Sequence, residues 1–227
     1  RTWQRQSSSP EDPAISIDVT SIARLWQQRR ERWSAVGETD WHLTPTALTR
    51  QAKPRKPLPA QNGQLRDVGR LTGIAAHRIL ERWEFSSPPS GLIEQIDPVL
   101  QQVLQSEERT LFPAMTDSLH ELFTTFGASP LYDRLRSSQI MGREVPFTMP
   151  WGDRPVMEGV MDLLYRFDGE LWIADYKTDV VSSDQAVGRA EQYRTQGEVY
   201  KAAVRRSLKL EPRFHCLFLR CAMAVEL

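Results

Sequence analysis

The sequence predicts an α/β domain: a mixed central sheet flanked by helices, with a helical insert and an N-terminal helical extension. Three observations predict it. Residues 67 to 126 carry helical apolar spacing. Arg143 to Tyr176 switches to strand-like runs around one Asp-Gly dipeptide. A second helical stretch and a final alternating stretch then follow. The resulting order of helices, edge strand, hairpin, helix and strand is that of a sheet covered by helices.

Residues 1 to 14 are polar, rich in Ser, Pro and Gln, and without period, as in a tail or the end of an interdomain linker. Val19, Ile22, Trp26 and Trp33 have helical spacing and predict a docking helix that stops near Gly37. Thr44-Pro45 has the form of an N-cap followed by proline at the first helical position, starting a short helix to about Arg50. Three prolines between Lys53 and Gly63 predict an extended connector, so residues 1–63 are assigned to an N-terminal extension and residues 64–227 to the main domain. Because the chain begins at Arg1 rather than at methionine, it is expected to be a piece of a longer polypeptide with further domains upstream.

From about Asp67 to Phe85, Ala76, Ile79, Leu80 and Trp83 form an i, i+3, i+4, i+7 stripe that should face the core. His77 lies beside that stripe, one turn after Gly73. Ser86 to Gly91 reads as a loop. Helices should start at Asp97-Pro98 and at Thr116 or Asp117 and reach about Glu108 and Phe126. Arg143 to Met149 alternates around Pro146, as an edge strand would. A helix capped by Asp184 is expected to run to about Leu208, with Tyr193, Gln196 and Tyr200 sharing a face. The glutamine among those tyrosines implies that the face meets something polar. Arg213 to Arg220 alternates as a strand, with Phe214, Cys216 and Phe218 on one side.

The hairpin carries the chemistry. Asp168-Gly169 between the apolar runs Val156–Tyr165 and Leu171–Tyr176 marks a two-residue turn. With that turn, Phe167 pairs with Glu170 and Asp162 falls opposite Asp175, with Lys177 diagonal to Asp162 and on the same face. Like charges placed opposite one another need either a cation between them or open solvent. Two carboxylates suit a hard divalent cation, and a lysine beside them suits a developing negative charge. The alternative is a solvated face whose acids are offset by Lys177.

Charge is balanced, 29 basic against 29 acidic residues, so no global field attracts nucleic acid and any such binding needs a local patch. Arg50, Lys53, Arg55, Lys56, Arg66, Arg70, Arg78 and Arg82, against Asp67 and Glu81, could supply one. Two cysteines are too few for an iron-sulfur cluster or a closed zinc site, and they point to a reducing, cytoplasmic setting. No apolar run approaches the length of a membrane span, so no membrane partner is expected. No phosphate-loop motif is present in these residues, so an ATPase motor would lie outside them.

Four segments, GIAAHRILE at 73–81, GVMDLLY at 159–165, IADYKTD at 173–179 and YRTQGEVY at 193–200, occur in an order that resembles the RecB-type nuclease domain of the PD-(D/E)XK superfamily. That domain is found at the C-terminus of RecB/AddA helicase-nucleases. The resemblance implies a PD-(D/E)XK restriction-endonuclease-like core and a divalent-metal-dependent DNA nuclease. It further implies an exonuclease module working in double-strand-break repair on DNA, single-stranded DNA in particular, beside helicase domains of the same or a partner chain. It puts metal ligands at His77, Asp162, Asp175 and the Tyr176 carbonyl, for Mg2+ with Mn2+ able to substitute. The catalytic lysine falls on Lys177, and the Q-x-x-x-Y pair that helps position the site falls on Gln196 and Tyr200. The cysteine quartet of the iron-sulfur members is missing, so no cluster is implied, and Thr44 to Leu48 departs from their upstream motif. A non-cleaving DNA-binding or helicase-docking module with the same fold is the alternative.

Overall fold

The computed structural model describes residues 42–45, 47–48, 63–152 and 154–227. The expected tail, the docking helix with Trp26 and Trp33, the connector, and the basic residues Arg50, Lys53, Arg55 and Lys56 lie outside them. Six strands among the described residues form one sheet. They are β1 (His42–Leu43), β2 (Gln139–Trp151), β3 (Arg154–Phe167), β4 (Glu170–Lys177), β5 (Pro212–Phe218) and β6 (Met223–Glu226). Strand β3 pairs antiparallel with β2 along one side, and with β1 in parallel and then β4 in antiparallel fashion along the other. Strand β4 pairs in parallel with β5, which pairs antiparallel with β6. The sheet is mixed, as expected, and β2 is an edge strand that carries Pro146 without breaking a central ladder.

Helix α1 (Gly63–Arg82) buries Ala76, Ile79 and Leu80, and Trp83 just beyond its end completes the stripe. It packs with the insert helices α2 (Ser90–Glu94), α3 (Ile96–Val103), α4 (Phe112–Gly127) and α5 (Pro130–Arg136) over one face of the sheet, onto Leu163, Tyr165, Trp172, Ala174 and Tyr176. Helices α6 (Ser183–Ala190) and α7 (Arg194–Leu208) cover the other face, where Leu164, Leu171, Ile173, Phe214, Cys216 and Phe218 point. Alternation along β4 and β5 therefore feeds two cores from one sheet.

Several boundaries differ from expectation for local reasons. The helix at Asp97 ends at Val103, and a 3-10 turn, Ser106–Leu111, follows behind a Gln105/Glu108 capping box. Helix α4 begins at Phe112 rather than at Thr116 or Asp117, because Pro113 occupies its first turn, where its missing N–H costs nothing. Ser182, not Asp184, caps α6, through a reciprocal box with Gln185. The helix expected to continue to Leu208 is interrupted by a 3-10 turn at Glu191–Tyr193. Thr44 does act as a cap: its Oγ1 accepts the Ala47 N–H at 3.2 Å.

Candidate active site

The hairpin turn is as the dipeptide predicts: Asp168 and Gly169 both have positive φ, 52° and 78°, and Phe167 pairs with Glu170. The register then runs without slip to Leu163↔Ala174. Beyond that pair β4 leaves β3 while keeping its ladder with β5, so Asp162 and Asp175 do not close into a facing pair. The Asp162 side chain fills the fork, its Oδ2 accepting the Tyr176 N–H at 2.6 Å. Both acids are buried, Asp162 with 7% and Asp175 with 3% of its surface exposed, which excludes the solvated-face alternative.

At this fork side chains from both layers meet. From α1, His77 places Nδ1 3.3 Å from Asp162 Oδ1 and Nε2 3.2 Å from the Tyr176 carbonyl. From α7, Gln196 donates to Asp175 Oδ1 at 3.0 Å and to the Tyr200 hydroxyl at 2.8 Å, and the Tyr200 hydroxyl donates to the Val160 carbonyl at 2.8 Å. Lys177 forms an ion pair with Asp175 and donates to Gln196 Oε1 at 3.2 Å. The seven residues singled out in the sequence thus converge, in two groups on either side of Tyr176. His77, Asp162 and the Tyr176 carbonyl form one, and Asp175, Lys177, Gln196 and Tyr200 form the other.

Sequence reasoning missed Glu144. The pairs Arg143↔Leu163 and Val145↔Met161 place it opposite Asp162, on the side of β3 away from β4. A register shift between Ile140 and Gly142 precedes it, and its φ is +45°, a backbone strain that a non-glycine residue adopts where its surroundings impose it. His77, Glu144 and Asp162 each offer a ligand atom within 4.8 Å of the others. The opposed carboxylates are therefore Asp162 and Glu144, across β2–β3 rather than across the hairpin. The available clue was that Glu144 is the acid inside the predicted edge strand; the bulge that fixes its register leaves no such trace.

The electrostatics follow from this crowding. Burial opposes charge on His77, yet the Asp162 carboxylate outweighs it and raises the imidazole to about 9. Burial and then the Asp162 charge push Glu144 up to about 6. Burial also raises Asp175, against the pull of Lys177, while Lys177 itself is raised because Asp175 offsets its desolvation. Two carboxylates, an imidazole and a backbone carbonyl make an oxygen-rich donor set of the kind that holds a divalent cation, and such a cation would relieve the repulsion that Glu144 registers.

A cleft of about 840 Å³ opens beside this set, lined by Arg70, Gly73, Ile74, His77, Arg78, Glu81, Val103 and Glu144. Arg70 and Arg78 bring two residues of the basic run to it, each tethered by an acid, Glu108 and Glu81.

Fold and site together define a mixed-sheet α/β domain with an acid–acid–lysine centre at a strand fork. The chain belongs to the PD-(D/E)XK nuclease superfamily, whose family model matches residues 47–222. It is similar to an ATP-dependent helicase/nuclease subunit from Thermoanaerobacter sp. (strain X514), 27% identical over 148 residues that cover 58% of this chain and 12% of that protein. The subunit of the same name from Heliobacterium modesticaldum is 29% identical over 167 residues, covering 65% and 12%. The RecBCD enzyme subunit RecB of Chlamydia pneumoniae is 26% identical over 182 residues, covering 73% and 17%. The chain therefore spans less than a fifth of the length of these relatives. No helix among the described residues is long and apolar enough to cross a membrane.

Proposed function

We propose that the chain is a divalent-metal-dependent deoxyribonuclease module, the exonuclease part of a helicase-nuclease acting in double-strand-break repair. The observation that carries this reading is the junction, at one fork, of the His77–Glu144–Asp162 set with the Asp175–Lys177–Gln196 cluster. His77, Asp162 and the Tyr176 carbonyl, with Asp175 and Glu144, would hold the ion, magnesium by preference with manganese able to substitute. Bound there, a divalent ion supplies Lewis-acid polarisation of a phosphate and a water of lowered pKa. The lysine's part is electrostatic. Its ammonium is surrounded by Asp175, Gln196 and the face of Tyr193, which keeps a positive charge ready for the negative charge that develops on a phosphoryl oxygen. Gln196 and Tyr200 hold the Asp175 carboxylate in place from α7. The cleft with Arg70 and Arg78 would take the DNA backbone, single-stranded by preference, and the chain would work in the cytoplasm beside helicase domains of the same or a partner chain, a reading supported by the similarity to helicase-nuclease subunits.

The test is cleavage of end-labelled linear single- and double-stranded DNA and of circular DNA, with magnesium and with EDTA. Metal-dependent shortening of linear strands from an end, with circles spared, is expected. Asp175→Ala should lower the rate at least a hundredfold, on the order of one lost charge-stabilising group, with the circular dichroism spectrum unchanged. Full activity in that variant would remove Asp175 from the assignment, and a wild type that leaves every substrate intact with magnesium would favour a non-cleaving DNA-binding or helicase-docking module.

A further inference from the structure

We infer that Tyr193, anchored by Asp179 and Arg189, is a positioning residue that fixes the Lys177 ammonium by offering it an aromatic face. The inference rests on the nuclease reading for its consequence, but on separate contacts for its geometry. Lys177 Nζ lies 3.8 Å from the centroid of the Tyr193 ring. That ring does not float: its hydroxyl donates to Asp179 Oδ2 at 2.9 Å. The other oxygen, Oδ1, accepts from Arg189 Nε at 3.1 Å and pairs with Arg189 Nη2, and Arg189 Nη1 reaches Gln192 Oε1 at 2.8 Å. Asp179 is two residues past Lys177, and Tyr193 ends the 3-10 turn that interrupts the α6–α7 stretch. The segment carrying the lysine and the turn carrying the ring are therefore clipped together twice, once through the Tyr193 hydroxyl on Asp179 and once through the ring face on Lys177.

The physical need is plain. Lysine is a point charge on a flexible four-carbon stem, and its other tethers among the described residues are the Asp175 carboxylate and the Gln196 amide oxygen. A ring face attracts the whole ammonium through its quadrupole and does not depend on the aim of any one N–H. It fixes where Nζ sits while leaving the N–H groups able to turn toward a phosphate. A carboxylate in the same place would neutralise the charge instead. The interruption of the helix at Glu191–Tyr193 thereby acquires a use: it brings Tyr193 across the lysine while Gln196, braced by the Tyr200 hydroxyl, reaches Asp175 from the next turn.

The experiment compares Tyr193→Phe, which keeps the face and loses the tether to Asp179, with Tyr193→Leu, which keeps apolar bulk and loses the face. With magnesium and a labelled single-stranded oligonucleotide, Tyr193→Leu should lower kcat by about tenfold to thirtyfold, the scale of a desolvated cation–π contact. KM for the oligonucleotide and the affinity for Mg2+ should stay within about twofold, and Tyr193→Phe should keep kcat within about threefold. A second readout needs no turnover. In metal-free protein carrying 13C-lysine, the Lys177 ε-methylene resonance, assigned by its loss in Lys177→Ala, should be shifted upfield by the ring in wild type and Tyr193→Phe and return to the ordinary lysine position in Tyr193→Leu. Equal kcat in the Phe and Leu variants, or a KM that rises and a metal affinity that falls together with kcat, would make Tyr193 a packing residue. An ordinary lysine shift in wild type would overturn the contact itself. Should the wild type prove inert toward DNA, the nuclease reading falls, and the resonance still decides whether the ring holds the ammonium.

Discussion

At His77, two groups that can only accept face the two ring nitrogens: the Asp162 carboxylate and the Tyr176 carbonyl. Satisfying both requires a proton on each nitrogen, which agrees with an imidazole raised to about 9 after Asp162 overcomes burial. Unfolded, this histidine titrates near 6.5, so its contribution to stability is fully present below that pH and is lost as pH rises through 9. Glu144 acts in the same direction over a lower window: burial and the Asp162 charge raise it to about 6, so ionising it between its ordinary value of 4.5 and 6 costs the folded state stability. The metal-free chain should therefore be less stable at pH 9 than at pH 6. The difference should be about 1–2 kcal/mol once solvent screening of the partly exposed imidazole is discounted, as read from urea unfolding in EDTA. A divalent ion must displace the His77 proton, so its affinity should rise by up to about tenfold per pH unit across 6.5 to 9. Calorimetric titration with manganese across that range checks this, and a flat affinity would remove His77 from the ligand set.

At the scale of elements, the decisive event is the parting of β3 and β4 after Leu163↔Ala174. The turn chemistry of Asp168-Gly169 made the hairpin and its register legible, and apolar period made α1, α7 and β5 legible, because each signal is local. The fork was not legible. It arises because β4 stays with its parallel neighbour β5, a partner more than thirty residues away in sequence. The same reason hid Glu144, whose place depends on a bulge in β2, and β6, a strand of four residues too short to display a period. On the other face, α7 lies so close to β5 that a Cβ at Gly197 would meet the Phe214 ring at 2.4 Å. Gly197→Ala should gain helix propensity, about 1 kcal/mol, and lose more through overpacking, typically about 1–3 kcal/mol. The net expected result is a lower urea midpoint. Because Gln196 is the adjacent residue, cleavage should fall as well. A variant of unchanged or higher midpoint would mean that α7 is free to move off the sheet without cost.

For the molecule as a whole, balanced charge leaves DNA affinity to a local surface. Arg70 and Arg78 mark the described part of it along the cleft beside His77 and Glu144. Binding carried by such contacts releases counterions, so log affinity should fall linearly with log salt, with a slope of about −0.7 per phosphate contacted for single strands. Fluorescence anisotropy of a labelled oligonucleotide in calcium, between about 50 and 200 mM salt, gives that slope. Arg70→Ala and Arg78→Ala should each reduce it by about one contact. A response independent of salt would place the DNA elsewhere.

The central claim is that one divalent ion belongs at the fork, between acids that repel one another without it. Thermal melts with magnesium or manganese and with EDTA test it most directly, in wild type and in Asp162→Asn. The substituted amide can still accept the Tyr176 N–H through its oxygen, which keeps the fork closed. An ion that binds only the folded chain, at a hundredfold excess over its Kd, stabilises by about 2.7 kcal/mol. For a chain of this size that is a melting shift of roughly 5–10 °C. That shift is expected in wild type, with little or none in Asp162→Asn; equal shifts in both proteins would put the ion somewhere else and contradict the claim.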